Sequence, residues 1–169
     1  MALFGRRERP PSSLVAALDA DERLLSWADT ATGAVVAATS RGLRWPATDG
    51  PELIPWHLVN TVRWQSGTLT VTPARVVDDV FLEDLAPTSI RLTEARDLPP
   101  VIRKRVEGSI VGSELAAVAG GAVRFVARRV PGRDGPAWWA RLEPGTPDTE
   151  PTRAAARARV ERLRGGEHR

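Results

Sequence analysis

The chain has 169 residues, 42% of them hydrophobic and 27% charged, so it is long enough for one folded domain with a real core. It has no cysteine and no tyrosine, which excludes disulfides, thiolate metal sites and a cysteine nucleophile. The formal charge is only +3 although the sequence pI is about 10.7. Lys104 is the single lysine. Once it and the α-amino group are neutral, nothing titrates before arginine, so a small surplus gives a very high pI.

Taken in chain order, residues 1–11 read as a flexible lead. The pair Arg6-Arg7 is followed by Glu8-Arg9-Pro10-Pro11 rather than by the apolar stretch that a secretory signal needs. No run approaches the roughly 18 apolar residues of a membrane helix, and the chain reads as cytoplasmic. Ser12 or Ser13 is placed to cap a short helix through Leu18. Short strands follow. Residues 23–29 put Leu25 and Trp27 on one face, and residues 33–40 hold a continuous apolar run, predicted to be covered on both faces. Arg41-Gly42 interrupts this run as a bulge before residues 42–47. Asp49-Gly50 is a turn, and residues 52–56 end at an edge that Pro55 marks.

The clearest hairpin is 61–65 with 68–72 about Ser66-Gly67, with Val62 and Trp64 predicted inward. Residues 73–87 read as a looser, acidic, solvated connection carrying Asp78, Asp79, Glu83 and Asp84. Residues 88–94 form another strand with Ile90 and Leu92 inward. The period then changes. Asp97 is a candidate N-cap, with Pro99 and Pro100 in the first turn, and Leu98, Val101, Ile102, Val106 and Ile110 share one helical face. Beyond residue 111, the stretches 114–119 and 122–130 read as a hairpin about Gly120-Gly121. Residues 137–143 are a third strand, and a helix capped by Thr149 or Asp148 runs to about Arg164, followed by a tail at 165–169.

Seven strands and one amphipathic helix, in this order, resemble a pleckstrin-homology-like (PH-like) barrel. The wording of three segments is similar to bacterial, in particular actinobacterial, proteins of that type. They are Asp21-Glu22-Arg23-Leu24-Leu25-Ser26-Trp27, then Val35-Val36-Ala37-Ala38-Thr39-Ser40-Arg41-Gly42-Leu43, then Leu53-Ile54-Pro55-Trp56-His57-Leu58-Val59. The resemblance implies an α+β protein: an antiparallel barrel of about seven strands over 12–110, closed by a helix. Residues 111–164 would add a three-stranded antiparallel sheet and a C-terminal helix, packed on the barrel or extending it. Phosphoinositide-binding members carry basic residues in the first strand-to-strand loop. Here that loop, Asp29-Thr30-Ala31-Thr32-Gly33, holds no cation and one acid.

The chemistry is sparse. His57 is the one histidine outside the tail, no Gly-x-Ser-x-Gly or phosphate-binding Gly-rich loop accompanies it, and it reads as structural. The four acids of 73–87 lack the spacing of a calcium loop, so neither metal nor cofactor is expected. Charge is the positive signal. Residues 1–95 hold 9 basic and 12 acidic residues, net −3, and residues 96–169 hold 15 and 9, net +6. The surplus marks Arg103, Lys104, Arg105, Arg124, Arg128 and Arg157 as an anion or partner surface, with Arg129 and Arg133 among its wider members. Trp138 and Trp139 must face opposite ways in a strand. Trp139 is predicted to lie under the C-terminal helix or at an interface. The sequence therefore points to a non-catalytic binding domain for a protein partner or its own copies. The second reading is electrostatic binding of nucleic acid or an anionic membrane surface through 96–164.

Overall fold

The computed structural model describes residues 8–166, within which eleven strands and three helices form an α+β protein that is mostly sheet. The predicted lead and tail fall partly outside these residues, at 1–7 and 167–169. Four strands, β1 (Leu24–Asp29), β2 (Val35–Thr39), β3 (Gly42–Trp45) and β4 (Glu52–Pro55), pair in sequence as one antiparallel sheet. A single 3-10 turn, Trp56–Leu58, leads into β5 (Val59–Gln65) and β6 (Thr68–Val77). Ser66 and Gly67 both take positive φ, +51° and +78°, as a two-residue hairpin turn requires.

The second sheet is larger than expected. The acidic stretch is not a loose connection: β6 runs ten residues, and β7 (Phe81–Asp84) returns against its second half. Asp78 and Asp79 make this reversal at φ +51° and +54°, a region that Asp tolerates. The first half of β6 pairs instead with β8 (Thr88–Arg91), so one long strand belongs to two neighbourhoods. The two sheets meet where Thr30 bridges Leu92, giving a curled half-barrel. Helix α2 (Leu98–Ser109) covers it, with Leu98, Ile102 and Val106 buried against Val36, Leu43, Trp56, Val59, Leu69 and Val71. No helix among the described residues is long and apolar enough to cross a membrane.

The extension continues the second sheet rather than standing beside it. Strands β9 (Ile110–Val118), β10 (Gly121–Arg129) and β11 (Pro136–Leu142) are antiparallel, and β11 joins β7 in parallel at Ala140 and Phe81. Helix α3 (Glu150–Arg164) lays Ala156, Val160 and Leu163 on Val123, Phe125, Trp138 and Ala140, as its stripe predicted. The Thr149 hydroxyl accepts from the Thr152 N–H as its cap. The β9–β10 turn is Ala119-Gly120, one residue earlier than expected, and Gly121 opens β10 opposite Val118.

Several faces and caps differ from expectation. In β1 the buried residues are Ser26 and Ala28, while Leu25 and Trp27 are half-buried on the other side. Small residues fit there because α2 packs closely. The Ser26 hydroxyl donates to the Asp97 carboxylate at 2.5 Å, so Asp97 does not cap α2 through its side chain. Trp27 instead lies beneath the Arg96 guanidinium, 3.9 Å from the ring centre. Helix α1 (Ser12–Ala16) starts from Pro11 without a serine side-chain cap. Trp64 is 40% exposed because the hairpin end projects past the core, and Ile110 is exposed because α2 stops at Ser109.

Candidate functional site

The seven residues singled out by charge and aromatic content do not converge on one surface. Arg128, on β10, is 3% exposed. Its Nη1 donates to the Val59 carbonyl at 2.9 Å, to the Trp56 carbonyl at 3.4 Å and to the Ser109 hydroxyl at 3.3 Å. It therefore staples the extension to the 3-10 turn and to the end of α2. Burial, with the nearby charge of Arg141, pushes its pKa down to about 10. Trp139 is buried too, with Ala74, Leu82 and Val126. Its ring stacks on His57 with centroids 5.6 Å apart. It thus lies under neither α3 nor an interface. Trp138 is the tryptophan that packs towards α3, because the strand's alternation points it there.

Arg157 and its neighbours on α3 meet the acids that looked solvated in the sequence. Arg157 pairs with Glu150 at 2.8 Å and Asp78 at 3.6 Å, and Arg164 pairs with Asp79 at 3.1 Å. Arg153 reaches Asp148 at 2.7 Å and Glu83 at 3.2 Å, with its guanidinium 4.7 Å from the Phe81 ring centre. The first of these bonds holds the Asp148 carboxyl below its usual range and raises Arg153. The β6–β7 turn and α3 therefore cancel much of each other's charge. Arg124 pairs with Glu143 at 2.8 Å, and Arg103 with Glu107 at 3.5 Å one helical turn away.

Lys104 and Arg105 remain, and they do converge with other cations. With Arg129 at the end of β10 and Arg133 in the β10–β11 loop they line a groove of about 890 Å³. Ser40, Trp56 and Ser109 contribute to its wall, as do Val111, Val130, Pro131 and Pro136. No acid lines the groove, and among the described residues none of the four cations has an ion pair. All four are exposed. The C-terminal end of α2 lies beside them and carries a negative partial charge of about half a unit, which four full positive charges outweigh. Sequence reasoning counted Arg129 and Arg133 in the surplus without singling them out. Their flanking of the turn Pro131-Gly132 was the available signal, since a turn at a strand end projects its neighbours together.

His57 lines no reactive cluster. Burial first, then the charges of Arg128 and Arg133, lower its pKa to about 4. A base depressed below its unfolded value contributes stability that is present above about pH 6.5 and lost as pH falls towards 4. His57→Phe keeps an aromatic ring on Trp139 and is expected to flatten that acid limb by on the order of 1–2 kcal/mol, after discounting for the ring's partial exposure. Urea melts at pH 7, 5.5 and 4.5 measure it. Equal slopes in both proteins would remove His57 from the account.

A buried carboxylate, Glu22, shifts in the same direction as His57 but from the opposite cause. Burial alone would raise Glu22, yet hydrogen bonds from Arg44, Thr39 and the Asp19 N–H outweigh it and hold the carboxyl below its usual range. This cluster ties the α1–β1 connection to β3. Compared with protein family models, with curated proteins and with solved structures, the chain matches none.

Proposed function

We propose that this chain is a non-catalytic binding domain on a PH-like half-barrel, and that it takes an anionic ligand in the groove between α2 and the β10–β11 loop. The observation that carries the proposal is the convergence of Lys104, Arg105, Arg129 and Arg133 on one concave wall with no acid to neutralise them. A groove with low-dielectric walls and one sign of charge focuses its field on an incoming counter-ion. Its size falls within the ordinary range of small-ligand sites. Support for the PH-like assignment is the grouping of β1–β4 against β5, β6 and β8, their junction at Thr30 and Leu92, and the helix α2 across the core. The first loop of such domains holds Asp29 here and no cation, so the groove is the better anion site of the two. The non-catalytic reading is supported by His57, whose ring is stacked on Trp139 and whose Nδ1 lacks a hydrogen-bond partner. A protein-partner reading has in its favour the outer edge of β9, which among the described residues pairs only with β10. The unneutralised charge in the groove is the stronger indication.

Titration with inorganic pyrophosphate at low salt tests the proposal. Binding is expected to weaken steadily as salt rises. The double variant Lys104→Glu, Arg133→Glu is expected to lose at least about tenfold in affinity, because two of four charges change sign. Both residues are exposed, so its melting temperature should match the parent. Absence of binding at low salt, or equal affinity in the variant, would sink the proposal.

A further inference from the structure

The four cations set the sign of the ligand but not its kind, and the rest of the wall narrows the kind. We infer that the groove takes a single amphiphile, with a phosphate or carboxylate head among Lys104, Arg105, Arg129 and Arg133 and its hydrocarbon chain along the exposed face of β9. This rests on the anion-binding reading above and adds the class of ligand.

Directional recognition is nearly missing from the wall. Apart from the cations, its polar side chains are Ser40 and Ser109. Ser109 is already committed, donating to the Val106 carbonyl at 2.6 Å and accepting from Arg128 at 3.3 Å. No amide or carboxylate lines the groove to read a sugar or a base edge. Trp56 is 4% exposed and its Nε1–H donates to the Thr39 carbonyl, so it offers no face for stacking. Sequence-tolerant nucleic-acid binding uses stacking aromatics and a long basic track. The α3 arginines Arg153, Arg157 and Arg164 are held by Asp78, Asp79, Glu83, Asp148 and Glu150, which interrupts such a track.

The remaining wall is apolar, and it continues outward. Val111 lines the groove, and Ile110, Val111 and Leu115 are 42%, 43% and 57% exposed. Scattered exposed aliphatics are normal, but three within six residues running out of a cationic groove form a patch. The cause is local. The register of β9 against β10 slips between Ala127 and Arg128, which inserts Val111 as a bulge and leaves two successive aliphatic side chains in solvent. Val111 and Leu115 then share a face of β9, about 13 Å apart at the rise of a strand, with Ser113 between them and Arg124 of β10, already paired with Glu143, beside it. A charged head in the groove and an alkyl chain on this strip match the two chemistries in order.

The test is a series of alkyl phosphates, methyl, butyl, octyl and decyl, titrated below their micelle concentrations into the full chain, with pyrophosphate alongside. Affinity is expected to rise about 2–4-fold per added methylene over part of the series, as burial of each group predicts. The variant Leu115→Ser changes an exposed position outside the groove wall. It is expected to lose the dependence for the longer chains while binding methyl phosphate as the parent does. If methyl and decyl phosphate bind alike, the amphiphile is excluded and the anion reading stands. If neither they nor pyrophosphate bind, both fall. Sedimentation with anionic vesicles without capture of a monomeric alkyl phosphate would also overturn the inference. So would a dimer that Leu115→Ser dissociates with no chain-length effect in the parent, since the strip would then cover a second copy.

Discussion

Truncating Arg128 to alanine is expected to cost about 3–5 kcal/mol of stability, the largest effect of any single surface-distant polar change in this chain. The reason is what it leaves behind. Its Nη1 serves the carbonyls of Trp56 and Val59 and the hydroxyl of Ser109, all buried at the joint between half-barrel and extension. A stranded buried acceptor costs about 1–3 kcal/mol, and the vanished side chain leaves a cavity beside it. The native arrangement already carries a burden, because burial lowers the guanidinium to about pKa 10. Arg128→Met removes that burden and keeps most of the volume, so it is expected to cost clearly less than Arg128→Ala. Urea denaturation of the three proteins measures the order. An alanine variant within about 1 kcal/mol of the parent would show that this staple does not hold the joint.

Replacing Gly42 with alanine comes next, with an expected loss of about 3 kcal/mol and a fall in Tm of roughly 6–12 °C. The backbone conformation is ordinary, so the cause is space. A Cβ at this position meets the Ile54 carbonyl oxygen at 2.3 Å and the Pro55 Cα at 2.9 Å. Both are main-chain atoms of β4, and a strand cannot step aside as a flexible side chain does. Gly42 also gives its N–H to the Thr39 hydroxyl, which donates in turn to the buried Glu22 carboxylate. Moving β4 away would open the pairs Gly42–Pro55 and Leu43–Ile54 together. Thermal melting of Gly42→Ala against Gly50→Ala, a position with positive φ but open space, separates crowding from backbone strain. A Gly42→Ala protein as stable as the parent would mean that β4 yields freely.

Local chemistry was enough for the elements whose signals are local. The alternation of 61–72 with Ser66-Gly67 between its halves, the prolines after Asp97, and Thr149 before Pro151 all specify structure within a few residues. Each element formed where they place it. The stretch 73–87 was misread because Pro73 and the pair Asp78-Asp79 are breakers by propensity. In the fold Pro73 sits at the irregular end of the β5–β6 ladder, and the two aspartates take the tight reversal itself. The β1 face was inverted because Trp27 outweighs Ala28 in any hydropathy pattern. The space under α2 admits only small side chains there, and Trp27 finds Arg96 instead.

Local residue patterns suffice for an α+β chain of short antiparallel strands, for the helices α2 and α3 with their buried stripes, and for a basic second half. Which of those arginines remain free was decided only by tertiary structure. Charge adds along a sequence whatever the fold, but it cancels only across a few ångströms. The acids of the β6–β7 turn and of β7 are some 70 to 85 positions from the α3 arginines they neutralise. Among the described residues Lys104, Arg105, Arg129 and Arg133 stay without ion pairs because α2, the end of β10 and the loop after it meet along a wall that no acid lines. The Arg128 staple and the Trp139–His57 stack depend in the same way on a parallel pairing of β11 with β7, which no local pattern encodes.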